Sequence, residues 1–315
     1  MNNPLVSILV PIYNVELHIE KCIESLLNQT YNNIEFVFIN DCTPDNSILI
    51  LKKCFQKHNR SDYKLIENDK NRGVSITRNI GLKHVSGDYI IQVDSDDYLD
   101  YDAIEAMVAE AISSNAEIVI SNQSIKTKNS IYEKVIGFDY DPHKYLVGVL
   151  LRKYNFNVPG KLIKAKLYDD LDFVENIDFG EDYLIYAKLL YKAKKISYVD
   201  RPLYYYVQTN IFSATKNVSK KSIEHMCKAQ KCIEVFFKNK IDLLIIRQST
   251  TQAIVHMIKS CEADLHCLML INQYFSDTKQ NKSKLSLMDI VVIELFNRRM
   301  YKILRLIFKL YKTIK

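Results

Sequence analysis

The feature that most constrains this chain is a strand–helix alternation in which each apolar strand runs into a polar loop. β-rich apolar runs recur at residues 5–10, 34–39, 63–66, 89–93 and 117–121. Between them, Ile19, Cys22, Ile23, Leu26 and Leu27 follow helical i, i+3, i+4 spacing, as do Ile48, Leu51 and Phe55. Nearly continuous apolar strands suit a parallel sheet covered on both faces, and a βαβαβ succession predicts a doubly wound α/β layer. Such sheets bind ligands beyond the carboxyl ends of their strands.

Four strand ends carry dense polar chemistry: Pro11-Ile12-Tyr13-Asn14-Val15-Glu16, Asn40-Asp41-Cys42-Thr43-Pro44-Asp45-Asn46-Ser47, Asn68-Asp69-Lys70-Asn71-Arg72-Gly73 and Asp94-Ser95-Asp96-Asp97. Loops and helix caps are polar in any protein, and Asp45 and Ser47 suit an N-cap. Four such loops on one sheet edge exceed what capping needs. The last is the most informative, because clustered carboxylates repel unless a cation neutralises them. Hard oxygen ligands at a strand end suit Mg²⁺ or Mn²⁺ shared with a substrate phosphate, and such an ion would stabilise charge on a phosphate leaving group. The competing reading is a capped helix start at Asp97 or Asp100. Arg78, on a helix opening at Gly73, is placed to balance this acidic cluster or to contact a diphosphate. Asp41 could accept from a nucleobase N–H or close an Asx-turn.

The four segments together, with Val6-Ser7-Ile8-Leu9-Val10 before the first and Val74-Ser75-Ile76-Thr77-Arg78-Asn79 after the third, resemble the family 2 glycosyltransferases over roughly residues 5–215. The resemblance implies the GT-A nucleotide-sugar fold, an inverting reaction and a UDP-sugar donor. It implies that Pro11, Tyr13 and Glu16 line the nucleoside pocket, that Asp41 bonds the uracil, and that Arg78 lies near the diphosphate. Asp94 would face the ribose or the metal shell beside Ser95, and Asp96 would be the direct ligand of Mn²⁺ or Mg²⁺. Two positions depart from the commoner pattern: Asn40-Asp41-Cys42-Thr43 stands for Asp-Asp-Gly-Ser, and Thr77 for an alanine.

Gly160-Lys161-Leu162-Ile163-Lys164-Ala165-Lys166-Leu167-Tyr168 resembles the family's acceptor-side segment. Downstream, Glu181-Asp182 opens an amphipathic helix, where the macrodipole favours ionised carboxylates. An inverting transfer needs one base for the acceptor hydroxyl, and the resemblance assigns that role to the Glu181-Asp182 pair, usually to its Asp, here Asp182. Acidic residues also favour first helical turns without catalysis. Tyr204-Tyr205-Tyr206 is read as strand structure, Ser213-Ala214-Thr215 resembles a segment closing over the diphosphate, and His84, His256 and His266 show no ligand spacing. Five of only seven glycines, at 73, 81, 87, 160 and 180, fall in or beside these segments, consistent with close backbone approach or unusual φ.

Beyond about residue 216 strand signals stop. Residues 216–297 read as a helical appendage over the acceptor cleft or in a dimer contact, following a catalytic domain at 1–215. Residues 298–315 hold seven Lys and Arg and no acid, against a net charge of +6 for all 315 residues, so the remainder is close to neutral. Arg298, Lys302, Arg305, Lys309 and Lys312 share one helical face and Ile303, Leu304, Ile307, Leu310, Tyr311 and Ile314 the other. This terminal helix suits an anionic lipid surface or packing on the protein. No basic stripe with interleaved aromatics appears elsewhere, which argues against nucleic acid. No run of about 18 apolar residues suggests a membrane span, and seven cysteines without a CxxC pair suit a reducing cytoplasm. The expected place is thus the cytoplasm, peripheral on the inner face of the plasma membrane. The expected acceptor is a saccharide or lipid-linked saccharide of bacterial surface-polysaccharide assembly. Competing readings are a nucleotidyltransferase, which would want a glycine-rich loop where Pro11-Ile12-Tyr13-Asn14 stands, and an inactive nucleotide-sugar-binding or membrane scaffold.

Overall fold

The computed structural model describes residues 3–210, 218–283 and 285–314, the side chains of 311–314 excepted. β1 (Val6–Ile12), α1 (Ile19–Leu27), β2 (Ile34–Asn40), α2 (Ser47–Lys57), β3 (Tyr63–Glu67), α3 (Val74–Leu82) and β4 (Tyr89–Gln92) alternate as the apolar periodicity requires. They form a parallel block in the order β3-β2-β1-β4. Alternate β1 side chains face opposite layers. Val6, Ile8, Val10 and Ile12 pack against α1 and α2, whereas Leu9 packs with the layer that holds α5 and α6. Full burial of each such side chain contributes roughly 1.5–3 kcal/mol.

The second half of the sheet departs from the all-parallel expectation. After β5 (Tyr98–Leu99) and α4 (Ala103–Ser114) come β6 (Ile118–Lys126), β7 (Ile131–Lys134), α5 (Pro142–Leu150) and β8 (Leu162–Lys164). The short β8 inserts antiparallel between β4 and β6. Its three residues follow the Gly160 turn, too brief a run to carry a strand signal. A 3-10 turn (Ala165–Tyr168), α6 (Glu181–Lys192) and β9 (Ile196–Val207) complete the α/β part. β9 runs parallel to β6, and its Tyr204 and Tyr205 pair with β5. The Asp94–Asp97 turn is therefore tied at once to a strand more than a hundred residues away.

α7 (Lys220–Phe237), α8 (Leu243–Ser260), α9 (Leu265–Phe275), α10 (Leu287–Asn297) and α11 (Tyr301–Ile314) follow. Ile223, Cys227, Ile254, Met257 and Ile258 fill their shared core, as the helical spacing requires. Ala229, Ile233, Phe237 and Ile246 instead join the core of α5 and α6, so α7 and α8 are built onto the sheet layer. Leu304 of α11 is fully buried in the helical core, with Tyr301 and Phe308 beside it. Among the described residues no helix is long and apolar enough to cross a membrane.

Candidate active site

A cleft of about 610 Å³ lies at the carboxyl ends of the parallel strands. Pro11, Tyr13, Asp41, Arg78, Asp94, Ser95 and Asp96 line it together with Glu181 and Asp182, so residues far apart in sequence converge there. Glu16 does not line it; its Oε2 accepts from the Asn46 backbone N–H (3.1 Å) and side-chain amide (3.2 Å). The Asp41 carboxylate holds the loop that opens α3. Oδ1 accepts from Asn68 Nδ2 and the Arg72 N–H, both at 2.8 Å, and Oδ2 from the Gly73 N–H at 3.0 Å. Gly73 has φ +84°, and a Cβ there would lie 2.6 Å from Asp178. Only glycine fits both demands.

In the acidic turn the Asp97 N–H donates to the Asp94 carbonyl at 2.9 Å. The Asp97 carboxylate is buried and accepts from the Tyr204 hydroxyl (2.6 Å) and the Val207 N–H (2.7 Å). Burial, then Asp96 and Asp94, hold its pKa well above the usual carboxylate range. Asp97 is thus a structural member of the cluster and not a helix cap; α4 starts later, with Asp102 at the N-cap position. Asp96 accepts from Asn210 Nδ2 at 2.9 Å, and burial followed by the Asp94 charge raises its pKa. Tyr204 also accepts from the Asp94 N–H at 3.3 Å, so this tyrosine braces the turn as well as filling the strand. Tyr204→Phe should destabilise the protein by about 1–3 kcal/mol, the effect of removing one of the two donors to a buried carboxylate and leaving its Oδ2 unpaired. Denaturant titration reads this directly, and an unchanged midpoint would contradict it.

Arg78 is the hub of the cleft. Its side chain is 3% exposed, and Nη2 binds Asp94 Oδ1 at 2.8 Å while Nη1 binds Glu181 Oε1 at 3.0 Å and Asp182 Oδ1 at 2.7 Å. The guanidinium therefore balances the acidic cluster, the first of its two sequence-based roles. Burial would lower the pKa of a lone arginine, but Asp182, Asp94 and Glu181 more than reverse this, so it stays charged. Burial and the Asp182 charge raise Glu181. Asp182 is also raised by burial, with Arg78 opposing that rise. α6 starts after Gly180, whose φ of +89° turns the chain so that both acids head the helix. Lys161 is buried behind Asp182; burial pushes its pKa down to about 7 despite that neighbour, and its ammonium donates to the Asn157 carbonyl and to Asn155 Oδ1.

Residues 7–169, about half of the chain, match the profile described as Glycosyl transferase family 2. The chain is a family 2 glycosyltransferase. Over 213 residues it is 32% identical to the glycosyltransferase GlyA of Streptococcus pneumoniae, covering 64% of this chain but 30% of that protein. The minor teichoic acid biosynthesis protein GgaB of Bacillus subtilis is 29% identical over 255 residues, covering 76% of this chain and 26% of that one. The chain thus spans less than a third of either relative. Among solved structures, S. aureus TarS 1–349 in complex with UDP-GlcNAc superposes with a TM-score of 0.75 at 18% identity, covering 99% of this chain and 92% of that one. That likeness establishes the GT-A fold, as the sequence motifs imply.

A divalent ion at the acidic turn would meet the oxygens of Asp94 and Asp96, of which Asp94 Oδ1 is already held by Arg78. Among the described residues no three His, Cys, Asp or Glu side chains are placed to enclose a metal. This donor set fits an ion that completes its shell with phosphate and water, not a caged one. Ser213-Ala214-Thr215 lies outside the described residues. Sequence reasoning missed the far wall of the cleft: Arg152, Phe156 and Asn157 after α5, Met226 and Ala229 from α7, and His256 and Ser260 from α8. His256 stands alone in the sequence, and only the packing of α8 brings it to the cleft.

Proposed function

We propose that this glycosyltransferase moves a sugar, with inversion, from a UDP-sugar to a hydroxyl of a saccharide or lipid-linked acceptor in bacterial surface-polysaccharide synthesis. The observation that carries the reading is the Arg78 bridge. It sets the candidate base Asp182 and the strand-end carboxylate Asp94 on one guanidinium, so the acceptor's proton and the donor's phosphates are handled in one charge network. The acceptor oxygen attacks the anomeric carbon as the bond to UDP breaks; Asp182 takes the hydroxyl proton, and the bonding pair leaves with the phosphate. Asp96, with Asp94, would hold Mn²⁺ or Mg²⁺, which neutralises charge on the departing diphosphate. Pro11 and Tyr13 would contact the nucleoside. Support for uridine comes from the UDP-GlcNAc complex of TarS; a Pyrobaculum calidifontis mannosyltransferase of TM-score 0.55 binds GDP-Man and Mn²⁺, so the base needs a direct test. A panel of UDP-, GDP- and dTDP-sugars with Mn²⁺, followed by thermal shift, should show saturable stabilisation by UDP-sugars alone, lost on adding EDTA. Preferential stabilisation by a GDP- or dTDP-sugar would overturn the donor class.

A lipid surface is the proposed location, through α11. Leu304 packs inward, but Ile303 and Leu306 are exposed, and Lys302 and Arg305 are exposed on the same helix. Each cation near an anionic leaflet contributes about 1 kcal/mol. The full chain should co-sediment with phosphatidylglycerol vesicles, and Lys302→Glu with Arg305→Glu should weaken this at least about tenfold. Equal sedimentation of the double variant would contradict the role of α11.

A further inference from the structure

The far wall of the cleft holds a cation with no counter-charge among the described residues. Arg152 follows α5 with φ +54°, and its guanidinium stacks 4.6 Å from the Tyr183 ring centre. Stacking occupies the face of a guanidinium and leaves its N–H groups free for acceptors in the plane. Here Nε and Nη1 are shielded from water and have no acceptor, and Arg152 makes no ion pair among the described residues. The contrast with Arg78 is sharp: that arginine holds three carboxylates, and Arg152 holds none although Glu181 and Asp182 line the same cleft. Most buried polar groups are paired; Arg78 also leaves its Nε unpaired, but Arg152 leaves two nitrogens unpaired and, among the described residues, has no carboxylate beside them. Phe156, Asn157 and His256 line the wall beside it, a mixture of apolar surface and hydrogen-bonding groups suited to a sugar ring.

We propose that Arg152 is the anion-binding element of the acceptor subsite, and that the acceptor saccharide carries an oxyanion, a phosphate or a carboxylate, near the hydroxyl that is glycosylated. The inference rests on the reading of Asp182 as the base, since it places the acceptor between Asp182 and Arg152. The rest of the cleft supports it by charge. Asp41, Asp94, Asp96, Glu181 and Asp182 line the donor half and the middle, where the charge of Arg78 is already taken by three carboxylates, so Arg152 is the lining cation left for an anionic acceptor. Charge-assisted hydrogen bonds from a guanidinium to phosphate or carboxylate are the strong, geometrically specific kind.

The test uses the full chain saturated with UDP and Mg²⁺, which fills the donor half. Methyl phosphate and glucuronate are then titrated separately while the arginine Nε–H resonances are followed by ¹⁵N NMR. One resonance, identified by its contacts to the Tyr183 ring, should shift saturably. Arg152→Gln should weaken the binding at least about tenfold, and Arg152→Lys should restore part of it. A response to methyl phosphate alone assigns a phosphorylated acceptor, and one to glucuronate alone a uronic acid. No saturable shift with either probe, or equal affinity in Arg152→Gln, would overturn the proposal. Should Arg152→Gln fail to fold, the titration of the unaltered chain decides by itself. Failure of UDP to bind would remove the donor reading, and the same titrations without UDP would still decide this one.

Discussion

Asp182→Asn is expected to lower sugar transfer by about 10²–10⁴-fold, the usual contribution of a positioned general base, while UDP-sugar affinity changes by less than about twofold. The substitution is nearly isosteric, and Asn retains an oxygen that can accept from Arg78 Nη1, now 2.7 Å from Asp182 Oδ1. What it removes is the ability to take a proton. The pH dependence follows from the same surroundings. Burial raises the Asp182 pKa and Arg78 opposes it, and the acid must be ionised to act, so kcat/KM should rise with pH through that raised value and then level off. In stability the sign is opposite. Glu181 and Asp182 bind their protons more tightly folded than unfolded. Their contribution is full below the ordinary carboxylate range and is lost as pH rises through the folded values. Steady-state rates with isothermal titration of the donor separate the two effects; a variant that transfers normally would remove Asp182 as the base.

Arg78→Met should destabilise the protein by about 3–5 kcal/mol, because removing one partner of a buried ion pair leaves the other charges uncompensated. Here three carboxylates lose their common cation. The loss is a large part of the 5–15 kcal/mol typical of a folded domain, so the variant should fold but unfold at clearly lower denaturant. Catalysis should suffer separately. Without the guanidinium, burial and Asp94 raise the Asp182 pKa against only Lys161 and a backbone hydrogen bond from Val158, and the rising limb of the pH profile should move to higher pH. Arg78→Lys restores a charge but not the three-way fork, and should recover part of the stability and part of the shift. An unshifted pH profile in Arg78→Met would show that Arg78 is structural only.

Much of the donor half was legible in the sequence because strand ends are local features. Apolar runs with period-appropriate neighbours locate β1 to β4, and the loops after them carry the lining residues Pro11, Tyr13, Asp41, Asp94, Ser95 and Asp96. Glu16 shares that loop yet turns to Asn46, a contact that spacing does not reveal. What was not legible depends on contacts between elements far apart in the chain. β8 is three residues long and takes its place from its neighbours β4 and β6. Tyr204 reads as an ordinary strand aromatic until β9 brings its hydroxyl to Asp97. Arg78 shows a helical position in sequence, but its partners Glu181 and Asp182 arrive from the other side of the cleft. The far wall of the cleft is the extreme case, since Arg152 and His256 carry no motif and meet only through the packing of α5 and α8.

Inversion through a single base is the central claim, and the configuration of the product tests it most directly. An α-linked UDP-sugar that binds in the panel, incubated with the full chain and Mn²⁺ in buffer containing methanol, gives a methyl glycoside whose anomeric centre cannot re-equilibrate. The ¹H coupling constant of that product is the measurement. A methyl β-glycoside, formed by the parent chain and absent with Asp182→Asn, is the predicted result. A methyl α-glycoside would contradict direct displacement assisted by Asp182.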